Sequence, residues 1–215
     1  MRRPPAALVA FALALVAAAL AGGGAFARAG KPMAVPIALA VIADEPDLAQ
    51  AKRLAQFAAR ESPQAVFFIG AQPPDVGGAQ LYAVAGEHDG EDHLGRGVDV
   101  GANVHVSLLA GAKAMQLKWL ELDLQANAGK FLFVIARDAP AASERAALWK
   151  ILKQHKVAAY VHARGVESAG AAVTAATGYR FLIITVPPIR DAAPHVDARG
   201  ADNQQLAAFE LKPRK

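Results

Sequence analysis

Cysteine is absent from this 215-residue chain. Disulfides, thiolate metal ligands and thiol nucleophiles are therefore excluded, and the fold must stand on packing alone. Aromatic residues make up only 7% of the chain, and no basic block is interleaved with them. Nucleic-acid binding by charge and stacking is not expected from such a pattern. There is no Gly-rich phosphate loop of the Walker type and no G-x-S-x-G elbow, which removes two familiar routes to group transfer. What the chain does have is apolar material, at 54% of residues, much of it alanine. That suffices for one real core built largely from small side chains.

The opening "MRRPPAALVAFALALVAAALAGGGAFARAG" has a basic start, an apolar run over residues 6–21 and small residues at Ala25 and Ala27. This is the layout of a secretory signal over residues 1–27, cut after Ala27, with a mature chain of residues 28–215 in the periplasm or outside the cell. The competing reading is an uncleaved anchor, the one case in which a membrane would be a partner.

Further along, "PIALAVIAD" reads as a buried strand, and "DLAQAKRLAQFAARE" places Leu48, Ala51, Leu54, Ala55 and Ala58 on one helical face. "AVFFIG", "LYAVAG", "KFLFVIA" and "VAAYVHA" read as strands; "AKAMQLKWLELDLQAN" and "AASERAALWKILKQHK" read as helices. "AAVTAATG", "YRFLIITV" and "QLAAFELK" read as shorter strands, and "PHVDARGADNQQ" as a flexible connection between the last two. Alternating strands and helices, with apolar strands, predict an α/β domain with a largely parallel sheet covered on both faces. Chemistry in such sheets sits in loops just past the carboxyl ends of strands. Those loops carry Asp44, Gly70, residues 86–89, Arg137, Asp138 and residues 162–164. His93, His105, His155 and His195 have no partners at ligand spacing and are expected to be structural or exposed. Trp119 and Trp149 are expected in the core or at its edge.

In order, the loops read "IADEPD", "FFIGAQ", "VAGEHDG", "VIARDAP" and "YVHARGV", with "QLKWLELDL" before the fourth. This ordered set resembles the calcineurin-like metallophosphoesterase superfamily, whose loops read D-x-H, G-D, G-N-H-D/E, a histidine loop and G-H-x-H. The resemblance covers nearly all of residues 28–215. It implies a layered β-sandwich of mixed sheets flanked by helices, αββα, with a dimetal site at one edge. By this correspondence Asp44 keeps the first aspartate, Glu87 stands at the metal-binding asparagine, and His88 at the histidine that helps protonate the leaving group.

The remaining positions depart from the pattern. Pro46, Ala71, Arg137, Arg164 and Val166 stand where the family has ligands, and Ala163 where it has glycine. A one-residue slip in the last loop would bring His162 nearer a ligand position without restoring H-x-H. A divalent ion needs several oxygen or imidazole donors at one point. Only Asp44 and Glu87 remain as residual ligands, and guanidinium repels a cation. The resemblance thus implies a degenerate, non-catalytic binding or interaction module with no resident cofactor. The alternative is a residual metal-dependent phosphoesterase, with a divalent metal such as manganese, using Asp44, Glu87 and His88, with His162 as a further candidate. Arg137 and Arg164 facing Glu87 would form either a salt-bridge cluster in place of metal or a site for a phosphate-like anion. Plain readings stand beside these. Asp44 serves as a cap or turn residue, Asp89 orders its loop, and the motif order is chance on an unrelated α/β fold.

Overall fold

A computed structural model describes residues 35–43, 47–70, 73–76, 78–84, 95–168, 179–189 and 191–211. The chain runs β1 (Ile37–Ile42), α1 (Leu48–Arg60), β2 (Ala65–Ile69), β3 (Gln80–Val84), β4 (Arg96–Val100), β5 (Val104–Leu109) and α2 (Ala114–Ala126). It continues through β6 (Phe131–Ala136), α3 (Ala142–Gln154), β7 (Ala159–His162), β8 (Gly165–Glu167), β9 (Phe181–Val186), β10 (His195–Arg199) and β11 (Gln205–Glu210). The first sheet has the order β11-β10-β9-β1-β2-β3 and the second β4-β5-β6-β7-β8. Both are mixed. β1, β2 and β3 are parallel, as are β5, β6 and β7, while β4, β8, β9, β10 and β11 pair antiparallel.

The apolar strands do not form the one largely parallel sheet that their composition suggests. Each sheet covers one face of the other. Alternate residues of a strand face opposite sides: Leu39, Val41, Phe67 and Ile184 of the first sheet pack with Val104, Val106, Phe133 and Val161 of the second. The intervening residues face helices. Ala40, Ile42, Val66 and Phe68 lie under α1, whereas Leu132, Val134 and Tyr160 lie under α2 and α3. An apolar run reports burial on both faces but not whether a helix or a second sheet supplies the cover.

The helices form for the reasons their sequences give. Asp47 caps α1, its carboxylate accepting from the Ala49 N–H at 2.9 Å. Ala51, Leu54, Ala55 and Ala58 make the buried stripe, while Leu48 in the first turn is exposed. Leu117, Leu120 and Leu124 repeat the spacing in α2. Trp119 and Trp149 are partly buried against the same layer.

Two segments differ from the sequence reading. Residues 195–199 form β10, with Val196 and Ala198 buried between the sheets, rather than a flexible connection. β10 lies between β9 and β11, so sheet partners on both sides stabilise a polar-looking stretch. β4 and β5 form a hairpin with its turn at residues 101–103. Its signature is the alternation of Val98, Val100, Val104, Val106 and Leu108. Among the described residues no helix is long and apolar enough to cross a membrane.

Candidate functional site

Parallel strands within a sheet end on one edge, so Ile42, Ile69 and Val84 finish together in the first sheet. Leu109, Ala136 and His162 finish together in the second. Three contacts show that these are the same edge of the sandwich. Tyr179, just ahead of β9, donates its hydroxyl to the His162 carbonyl. The neighbouring Arg180 carbonyl accepts from the Ala43 N–H at the end of β1, at 2.8 Å. At the other flank, the Arg96 guanidinium of β4 lies 5.4 Å from the centroid of the Tyr82 ring in β3. Ala83 and Val84 of β3 also share a pocket of about 190 Å³ with Gly95, Arg96 and the end of β5.

The sequence-predicted residues follow the carboxyl ends of these strands. Arg137 follows β6 and is half-buried; Arg164 is exposed on the two-residue turn between β7 and β8. Their strand ends adjoin, because the Ala163 N–H donates to the Arg137 carbonyl at 3.1 Å. Arg164 makes no ion pair among the described residues. Asp44, Pro46, Ala71, Glu87, His88, Asp89 and His93 lie outside the described residues, as does the stretch 171–178. Val166 is fully buried in the layer between the sheets.

His162 points elsewhere. It shares the helix-facing side of β7 with Tyr160, while Ala159 and Val161 face the other sheet. Its Nδ1 accepts from the Arg164 N–H at 3.3 Å, and its Nε2 lies 3.4 Å from a Glu167 oxygen. The other Glu167 oxygen accepts from Arg145 of α3. Burial lowers the His162 pKa and outweighs the opposing upward pull of the Glu167 charge. These contacts fix the β7–β8 turn, and with it Arg164.

Among the described residues, the strand-end positions 137, 162, 164 and 166 offer no free donor to a divalent ion. Two positions offer guanidinium, one offers a buried isopropyl group, and both His162 nitrogens face other partners. Among the described residues no group of three or more histidines and carboxylates is placed to hold a metal.

Sequence reasoning missed a polar cluster on the opposite, helix-covered face of the second sheet. His105 of β5 is 4% exposed, yet it lies between two carboxylates. Its Nδ1 is 2.7 Å from Asp99 of β4 and its Nε2 2.9 Å from Asp123 of α2. Asp99 also accepts from Lys130 at 2.6 Å, and Asp123 from the Ser107 hydroxyl at 2.7 Å. Asn127 Nδ2 stands 3.3 Å from His105 Nε2. Burial alone would lower the His105 pKa, but the bonds to Asp123 and Asp99 outweigh it and the net direction is upward. The signal was available: Asp99 and His105 are directly opposed once the β4–β5 hairpin is recognised. No family model matches this chain, and neither does any curated protein.

Proposed function

We propose that this chain is an exported binding or interaction module on a calcineurin-like metallophosphoesterase scaffold that has lost dimetal catalysis. The observation that carries the reading is the shared edge. The carboxyl ends of β1, β2, β3, β6 and β7 lie together, and each is followed by one of the five loops named from the sequence. Two of those loops present Arg137 and Arg164 where a dimetal enzyme needs donors. Without two cations, hydroxide is not generated near neutral pH and the phosphoryl oxygens lose their main stabilisation. His88 alone would supply only a general-acid contribution.

Arg164, exposed and without an ion pair among the described residues, suits a phosphate-like anion as ligand, bound by guanidinium rather than by metal. A salt-bridge cluster of Arg137 and Arg164 with Glu87 is the other arrangement these residues allow. Calorimetric titration with inorganic phosphate, on the parent and on Arg164→Ala, separates the two. Binding that the substitution removes supports the anion site. No heat from phosphate, with a loss of stability in Arg164→Ala, supports the cluster. Manganese-dependent hydrolysis of an aryl phosphate, abolished by His88→Ala, would instead establish the residual phosphoesterase.

A further inference from the structure

We propose that Asp99, His105 and Asp123 form a proton-operated clamp that holds the edge strand β4 against α2, and with it positions Arg96 at the start of the strand. Among the described residues β4 is the outermost strand of its sheet and has β5 as its sole strand partner. One face of β4 carries Asp99 opposite His105, and Asp123 reaches over the same face. Gly97 makes room for that approach, because a Cβ there would lie 2.7 Å from the Asp123 Oδ1 and 3.0 Å from the His105 ring.

An imidazolium has two N–H groups and satisfies both carboxylates at once. Loss of its proton leaves one N–H and one lone pair. One carboxylate oxygen then faces a lone pair at hydrogen-bond distance, which is repulsive. The choice between the two is set by burial. Asp123 is 15% exposed, whereas Asp99 is 54% exposed. Asp99 therefore swings toward water and Lys130, while Asp123 keeps His105 and Ser107. The charged and polar groups facing the ring are Asp99 from β4, Asp123 and Asn127 from α2 and its cap, and Lys130 from the following turn.

The released segment leads to the shared strand-end edge. Gly95 precedes β4 and Arg96 opens it; Gly95 packs against the Trp119 ring of α2, and Arg96 covers Tyr82 of the other sheet. Proton loss at His105 thus loosens the flank where the two sheets meet, and Trp119 is a built-in reporter of it.

The experiment is a fluorescence titration of the full chain carrying Trp149→Phe, so that Trp119 is the only tryptophan, from about pH 5 to about pH 9. The expected result is a one-proton transition with its midpoint above the ordinary histidine value of 6.5. His105→Gln should flatten it, and Asp99→Asn, on the exposed strand, should move the midpoint down. If His105→Gln fails to fold, Asp99→Asn together with the NMR titration of the His105 ring protons carries the test. A flat parent titration, or a midpoint unmoved by either substitution, overturns the proposal. Neither outcome depends on phosphate or metal binding at the strand-end loops.

Discussion

The Tyr179 hydroxyl donates to the backbone carbonyl of His162, joining the start of β9 in one sheet to the end of β7 in the other. Tyr179 is 2% exposed, and burial pushes its phenol pKa upward, so it stays a donor throughout the ordinary pH range. Tyr179→Phe removes the donor while keeping the ring. It should cost about 1–2 kcal/mol, since a buried carbonyl loses its partner. Urea unfolding would show this as a lower midpoint with an unchanged slope; an unchanged midpoint would mean the bond does not join the sheets.

Gly95 offers a second handle on the same edge. Its φ of 151° lies where side chains are disfavoured, and an added Cβ would stand 2.2 Å from the Trp119 ring. Gly95→Ala should therefore destabilise by about 2 kcal/mol or more and shift the Trp119 emission. A neutral substitution would show that α2 and β4 are not packed as described.

Two histidines give the stability profile opposite slopes. The folded-state pKa of His105 is raised above 6.5, so its stabilisation is complete below that pH and is lost as pH rises through the folded value. The folded-state pKa of His162 is lowered, so its stabilisation is present above 6.5 and is lost as pH falls through the folded value. Denaturation midpoints measured across this range should decline on both sides. His105→Gln should remove the alkaline decline selectively; if it leaves that decline intact, His105 is not its source.

Glu167 links His162 to Arg145 across β8 and α3. Its charge raises the His162 pKa against burial, so Glu167→Gln should move that pKa further down. The amide keeps a hydrogen-bond acceptor for Arg145, and the stability loss should be about 1 kcal/mol. NMR titration of His162 reads the shift directly. An upward shift would contradict the pairing.

The strands β1, β2 and β6 and the three helices were legible because buried stripes and apolar runs record their own environment. Two mixed sheets were expected from the family resemblance and not from the strand patterns, since a strand with two buried faces looks the same under a helix as under another strand. β10 was hidden by its polar residues: Asp197 and Arg199 bond each other, and Arg199 also reaches Glu61 at the end of α1. His105 was hidden for a related reason. Asp99 and Asp123 lie six and eighteen residues away, and only the hairpin and the overlying helix bring them together. Arg137 and Arg164 could be placed at strand ends from sequence alone, because each directly follows or closes an apolar run.

We propose that the strand-end edge carrying Arg137 and Arg164 does not assemble a dimetal centre. Manganese bound per chain, counted by elemental analysis after incubation with excess metal and dialysis, tests it most directly. Substoichiometric manganese is the expected result; about two retained ions per chain would overturn the proposal.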